Sequence, residues 1–310
     1  MNTTDKFPVL AILGPTASGK SSLANKVAQR FFCEIVNCDS RQIYKEMDIG
    51  TAKPGIAEQK LLKHHLYDIV SPDREFSAGN YEQLAKKTIL EIKSRKKIAL
   101  LTGGTGFYYN AISEGLPATG GDRNYCKELN DYLAANGLES LQSILQKKDP
   151  QAYESIDINN PRRIIRALEI IHITGRPFAE NKPVIPLPDA VFLPIVVSRP
   201  RPALHERIAA RVEKMLALGL QKEVEKLRKK FGSDAPGMRS IGYSEWEEFF
   251  NGQKTLAQVT EEIIIHSRQY AKRQETWFKK RPGRNIFNIE DKKQVEQTFA
   301  LMENFLADFK

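Results

Sequence analysis

Cysteine is scarce and odd in number: Cys33, Cys38 and Cys126 are the only three in 310 residues, which speaks against a disulfide framework and for a reducing compartment. Their spacing fits no zinc motif, and His64 and His65 have neither a cysteine nor another histidine at ligand distance along the chain, so no metal centre of that kind is expected. Long apolar runs are also missing. The longest, at 191–197 and 98–101, fall far short of the ~20 residues a helix needs to cross a bilayer. The opening MNTTDKF has neither the apolar core of a secretory leader nor an arginine-rich amphipathic pattern, which points to a cytoplasmic protein. No internal repeat and no low-complexity tract is found.

What is present is enough to fold. With 41% hydrophobic side chains, the chain has material for one large domain or two smaller ones. A net charge of +9 favours anionic partners, although a solvated basic face produces the same count. Short apolar runs alternate with amphipathic stretches through the first hundred residues, the rhythm of strands joined by helices in a mostly parallel sheet. The pattern predicts strands at 9–13, 34–38, 65–70 and 98–102. It predicts helices at 21–31, where Leu23, Val27 and Phe31 recur, at 77–93, and at 107–112 after Gly103-Gly104-Thr105-Gly106. From about Leu116 helical patterns dominate until Gly175, and the run 191–197 then returns the chain to the sheet. The expected fold is α/β: a P-loop NTPase-like parallel sheet flanked by helices, with an inserted helical subdomain. Its parts are 1–115 (first part of the core), 116–188 (the insertion) and 189–310 (completion of the core and C-terminal helices, at 202–230 and 256–280).

Gly14-Pro15-Thr16-Ala17-Ser18-Gly19-Lys20-Ser21 matches G-x-x-x-x-G-K-[ST] at every fixed position and lies between a predicted strand and a predicted helix. Such a loop curls its backbone N–H groups around phosphate oxygens at the positive end of a helix. Lys20 is expected to neutralise phosphate charge and Ser21 to bind Mg2+. The loop specifies a polyphosphate and no particular reaction. Open parallel sheets bind ligands beyond the carboxyl ends of their strands, where Asp39-Ser40-Arg41-Gln42 and Gly104-Thr105 lie. Asp39 there suits a general base or a holder of metal-bound water, and placement at a strand end favours that over its plain alternative, a helix cap or turn residue. Thr105 suits hydrogen bonding to a bridging oxygen or an amine, and equally an ordinary cap.

With DSRQIY (39–44), MDIGTAKP (47–54), GGTGFY (103–108), NPRRIIRALE (160–169), SIGY (240–243) and YAKRQETW (270–277) added to the phosphate loop, the sequence resembles the tRNA dimethylallyltransferase (tRNA isopentenyltransferase) family over nearly its whole length. Lacking an appended Cys/His zinc-finger module, it is similar to the shorter bacterial type. The resemblance implies that Gly14 to Ser21 hold dimethylallyl diphosphate with Mg2+, and that C1 of the dimethylallyl group passes to the N6 amine of the adenine 3′ to the anticodon in tRNAs reading codons that begin with U. Asp39 would accept the proton. Thr105 would bond near the bridging oxygen or the amine. The adenine would have to leave its stack and enter a passage. The implied tRNA contacts are Asp39, Ser40, Arg41, Gln42 and Thr105, then Arg162, Arg163, Ile164, Ile165 and Arg166, then Arg239, Ser240, Ile241, Gly242, Tyr243 and Ser244.

Arg162, Arg163 and Arg166 fall within about one helical turn, with Ile164, Ile165 and Leu168 turned to a core; a solvated basic face is the plain alternative for these arginines and for Arg268, Lys272, Arg273, Lys279, Lys280 and Arg281. Trp246 and Trp277 are expected to pack, and His64 and His65 to be structural or near RNA. A monomer is expected. Three rival readings remain: a P-loop small-molecule kinase, a free-adenylate isopentenyltransferase, and an RNA-binding ATPase that modifies nothing.

Overall fold

The computed structural model describes residues 6–117, 119–281, 283 and 285–309; the leader expectation for the first five residues lies outside them. The chain divides into two compact units, one formed by residues up to Ser113 together with Leu187 onward, the other by Glu114–Pro186. The first unit opens with β1 (Phe7–Leu13), α1 (Lys20–Phe31), β2 (Cys33–Asn37), α2 (Ile56–Leu61), β3 (His64–His65), α3 (Ala78–Ser94), β4 (Ile98–Gly103) and α4 (Gly106–Ser113). The second unit holds β5 (Leu116–Pro117), α5 (Arg123–Asn136), α6 (Leu138–Lys148), α7 (Pro150–Ser155), α8 (Pro161–Thr174) and β6 (Pro183–Val184). The first unit then resumes with β7 (Ala190–Ser198), α9 (Arg201–Ala217), α10 (Leu220–Phe231), α11 (Glu247–Phe250), α12 (Leu256–Lys279), β8 (Asn285–Asn288) and α13 (Lys292–Ala307).

Six strands pair in the order β3-β2-β4-β1-β7-β8, and every pairing is parallel. This is the expected α/β fold. β1 lies between β4 and β7, with Leu10 opposite both Leu100 and Leu193, and being covered on both faces it reads as an unbroken apolar run. Val9, Ala11 and Leu13 pack with Tyr81, Ile89 and Ile92 of α3. Leu10 and Ile12 pack with Leu23 and Val27 of α1 and Met302 of α13. A third core joins α9, α10 and α12 to Ile43, Tyr44 and Met47. The second unit has its own core of Leu129, Leu141, Leu145, Ile164 and Leu168. Caps set the helix starts: the Ser77 side chain accepts from Asn80 N, and Asn160 accepts from Arg162 N just ahead of Pro161. No described helix is long and apolar enough to cross a membrane.

Two expected elements differ. The strand at 65–70 shrinks to β3 because Leu66 and Asp68 take positive φ of 63° and 54°, which an extended ladder does not tolerate; Val70 rejoins only as a single bridge to Tyr44. The helix expected across 202–230 is two helices, α9 and α10, broken where Gly219 adopts φ 97°.

Candidate functional site

β1 delivers residues 14–21, the candidate phosphate loop, to the carboxyl edge of the sheet, and α1 starts inside this segment at Lys20. Ala17 and Gly19 sit at φ 60° and 97°, so the backbone winds back on itself in the manner of an anion nest. The loop is braced from outside. Arg207 Nε donates to the Ala17 carbonyl at 3.0 Å and Arg199 Nε to that of Ser18 at 3.4 Å. Thr16 N–H donates to Gln274 Oε1 at 2.8 Å. Ser18 Oγ is fully enclosed and has no partner among the described residues, which is what a ligand-accepting hydroxyl looks like before its ligand is counted.

Lys20 Nζ donates to the Pro15 carbonyl at 3.2 Å. Desolvation lowers its pKa from 10.5 to about 8; the Asp39 carboxylate pulls it up and the Arg211 guanidinium pushes it down. The group is cationic below that value and loses its charge above it, so affinity for an organic diphosphate should fall as pH rises through about 8. Above that pH, binding should take up a proton, which titration calorimetry in buffers of different ionisation enthalpy reads directly. A flat affinity between pH ~7 and ~9.5 would remove Lys20 from the binding charge. The same depressed pKa makes the ligand-free fold gain stability from about 8 up to 10.5, where the unfolded chain still holds the proton.

The Asp39 segment is built by β2 and β4 together. Cys38 N–H donates to Thr102 O at 2.8 Å, and Thr105 N–H donates to Cys38 O at 3.2 Å. The buried Asn37 side chain closes the turn, accepting from Asp39 N–H at 2.9 Å and donating to the Asp39 carbonyl at 3.1 Å and the Leu66 carbonyl at 3.0 Å. Asp39 Oδ1 accepts from Arg41 N–H at 2.9 Å, so its side chain does serve a turn. Its charge also reaches Lys20, Arg211, Tyr67, Tyr108 and Tyr270. Thr105 Oγ1 accepts from Ser40 N–H at 2.9 Å and lies 3.2 Å from Ser40 Oγ; it also shares a hydrogen bond with Tyr270, whose phenol burial pushes up to about 12. Phosphate loop, Asp39 and Thr105 are thus brought together, with a neutral phenolic wall beside them.

Three residues outside the sequence motifs' assigned roles complete the cluster. Arg211, from α9, donates to the Thr51 carbonyl at 3.2 Å. Gln274, buried on α12, accepts from Thr16 N–H and donates to Gly104 O at 2.9 Å, tying the phosphate loop to the Thr105 segment. Lys53, whose side chain is 3% exposed, contacts Asp48 and Asp68 at 2.6 Å and the Tyr44 carbonyl at 2.8 Å, which makes it a brace. The only signal in the sequence for Arg211 was its i,i+4 pairing with Arg207 on a helix that begins at a strand's carboxyl end.

The expected RNA contacts separate by exposure. Arg41, Arg162, Arg163, Arg239 and Ser244 are exposed; Ser40, Gln42, Arg166 and Ile241 are half-buried. Gln42 Nε2 donates to the Thr51 and Ala52 carbonyls, both at 3.0 Å. Arg166 is turned onto its own unit, bonding Glu169 at 2.5 Å, Gly120 O at 2.9 Å and Thr119 Oγ1 at 3.1 Å. Ile164 and Ile165 are in the helical unit's core, and Ser240, Gly242 and Tyr243 are buried in the first unit, so all five residues pack within the protein. Arg268 is half-buried, whereas Lys272, Arg273, Lys279, Lys280 and Arg281 are exposed.

Trp246 is buried and donates to Gly242 O at 3.0 Å, and Trp277 packs edge-on against Phe278. His65 pairs with Glu34 at 2.7 Å, and a ring nitrogen of His64 lies 2.7 Å from Leu62 O. Among the described residues no group of three His, Cys, Asp or Glu could hold a metal. The Ser21 hydroxyl would suit a hard cation that takes much of its shell from phosphate and water.

The family profile described as IPP transferase matches residues 42–281; the matched stretch starts after the phosphate loop and Asp39. Among curated proteins, the chain is 39% identical over 302 residues to a tRNA dimethylallyltransferase of Shouchella clausii, covering 97% of each. It is 42% identical over 280 residues to one of Roseiflexus sp., covering 89% of this chain and 92% of that one. Among solved structures it is similar to the full-length tRNA isopentenylpyrophosphate transferase of Bacillus halodurans, with TM-score 0.72, 34% identity and 97% of both chains covered. It is also similar to a eukaryotic dimethylallyltransferase acting on tRNA, with TM-score 0.84 and 26% identity over 98% of this chain and 80% of that one.

Proposed function

This chain belongs to the IPP transferase family, and we propose that it transfers the dimethylallyl group of dimethylallyl diphosphate to the N6 amine of the adenine 3′ to the anticodon, in tRNAs that read codons beginning with U. One observation carries the assignment of roles: at the ends of β2 and β4 the Asp39 turn is bonded to the Thr105 segment, through Thr105 N–H to Cys38 O at 3.2 Å and Ser40 N–H to Thr105 Oγ1 at 2.9 Å, and the Asp39 charge is felt by Lys20 and Arg211. In the proposed step the amine nitrogen forms a bond to C1 as the bond from C1 to the bridging oxygen breaks. Diphosphate leaves, and the amine proton goes to Asp39. An aromatic amine is a weak nucleophile, so alignment and late proton removal matter most. Thr105, fixed by Ser40 and Tyr270, orients the reacting groups. Lys20 and Arg211 meet the charge that grows on the leaving group. Ser21 with the diphosphate oxygens would hold Mg2+, which when bound supplies further charge neutralisation. The acceptor sets the reaction in the cytoplasm.

The test is incubation of the purified chain with unmodified tRNA, Mg2+ and dimethylallyl diphosphate, followed by digestion and mass analysis. Prenylated adenosine should form without ATP. An absolute need for ATP would favour a kinase, modification of AMP in preference to tRNA would favour the free-adenylate enzyme, and unmodified RNA would leave only a binding module.

For tRNA binding the exposed pair Arg162 and Arg163 is the better target, since Arg166 is already engaged with Glu169. Replacing both by alanine should weaken binding and make its salt dependence shallower by ~0.7 to ~0.9 in slope for each phosphate that is no longer neutralised. Arg166→Ala should instead lower the melting temperature, because it leaves the Glu169 carboxylate, 7% exposed, without its ion-pair partner and with only the Asp122 N–H and Cys126 as hydrogen-bond partners. An unchanged salt slope in the double variant would return the pair to a solvated face.

A further inference from the structure

Glu223, in the first turn of α10, is the hub of the loop at 48–52. Its carboxylate accepts from three consecutive backbone N–H groups: Asp48 at 3.1 Å, Ile49 at 2.9 and 3.1 Å, and Gly50 at 3.1 Å. The Tyr243 hydroxyl adds a bond of 2.6 Å. Only an ionised carboxylate, an acceptor on both oxygens, satisfies all of these donors. Tyr243 also closes over the loop, for a Cβ on Gly50 would come within 2.5 Å of its ring. Burial and the charge of Glu223 push the phenol well above its ordinary value, so it remains a donor.

The loop held in this way presents the Thr51 carbonyl, which receives Gln42 Nε2 at 3.0 Å and Arg211 Nη2 at 3.2 Å. Arg211 is the guanidinium that shares the field of Lys20 and Asp39. Without a fixed acceptor on one edge, a desolvated guanidinium beside a carboxylate turns toward it. Arg211 would then pair with Asp39 and take both groups out of use.

We propose that Glu223 is a positioning residue: by ordering loop 48–52 it fixes the Thr51 carbonyl, which aims Arg211 at the diphosphate and keeps it off Asp39. Glu223 itself touches no reacting atom. The proposal rests on reading Gly14 to Ser21 as a diphosphate site.

Glu223→Gln keeps size but turns an amide NH2 toward backbone donors. The probe is inorganic diphosphate with Mg2+, titrated calorimetrically against the full chain, with prenyl transfer measured in parallel. Glu223→Gln should weaken diphosphate binding ~10-fold and raise the KM for dimethylallyl diphosphate by more than it lowers kcat. Arg211→Ala should weaken binding similarly. The double variant should be no weaker than Arg211→Ala within ~2-fold, because the two act through one contact. Losses that multiply, or diphosphate affinity unchanged in Glu223→Gln, overturn the proposal. If that variant does not fold, Tyr243→Phe removes a single bond and should give a ~3-fold loss that vanishes in the Arg211→Ala background; a loss that persists there overturns it equally. Wild-type protein that binds diphosphate yet prenylates no RNA would refute the proposed reaction while leaving this coupling measurable.

Discussion

Asp39→Asn should cut prenyl transfer by ~10²-fold or more while leaving the KM for dimethylallyl diphosphate unchanged or lower. The asparagine oxygen can still accept from Arg41 N–H, as Asp39 Oδ1 does at 2.9 Å, so the turn survives and only the proton acceptor is lost. Removing the carboxylate also removes a negative charge from beside Lys20 and Arg211, which favours a bound diphosphate. That split, slower turnover without weaker binding, is what a base predicts and a turn residue does not. A second consequence follows from sign: Asp39 raises the pKa of Lys20, so in Asp39→Asn the pH at which diphosphate affinity falls should move down. Asp39→Ala should lose the turn as well and be the slower of the two. Wild-type turnover in Asp39→Asn, measured with saturating tRNA, would reduce Asp39 to its local hydrogen bond.

How much of this was legible in the sequence depended on how local the cause was. The candidate phosphate loop is readable because its glycines, lysine and serine fall within eight consecutive residues between one strand and one helix. Asp39 and Thr105 are readable as candidates because a parallel sheet makes every strand's carboxyl end a possible site. Which of its two roles each fills is not readable from that placement alone. Gln274 is 258 residues from Thr16 and 170 from Gly104, and no periodicity announces a bond of that separation. Arg211 carries the same difficulty, since on its helix the apolar face of Leu204, Ile208, Val212 and Met215 explains the pattern without it. β8 is not legible because a four-residue strand gives too short an alternation to stand out. The break at Gly219 was legible in principle, a glycine between two amphipathic stretches, but a continuous helix satisfied the same periodicity.

Gly103→Ala should both destabilise the fold and slow the reaction, for one steric reason. A Cβ at this position would lie 2.0 Å from the Cys38 carbonyl oxygen, 2.1 Å from its carbon and 2.7 Å from Asp39 N. All three are backbone atoms, so no side chain can swing aside. Relief requires the end of β2 to part from β4, which strains or breaks the bonds Cys38 N–H to Thr102 O and Thr105 N–H to Cys38 O. Overpacking costs ~1 to ~3 kcal/mol and each broken hydrogen bond about 1. The sum, about 3 to 5 kcal/mol, should lower Tm by ~5 to ~8 °C in a chain of this size. Asp39 follows directly on the displaced residue, and a shift of about 1 Å in a reacting group costs ~10²-fold in rate. Gly55→Ala is the control: nothing lies within 4 Å of its Cβ and its φ is −68°, so it should cost no more than ~1 kcal/mol as a cap substitution and leave turnover intact. Thermal melting followed by single-turnover prenyl transfer separates the two effects. Equal melting and equal rates in Gly103→Ala and Gly55→Ala would mean that β4 does not pin the Asp39 segment, and the shared origin of stability and catalysis at this strand end would be lost.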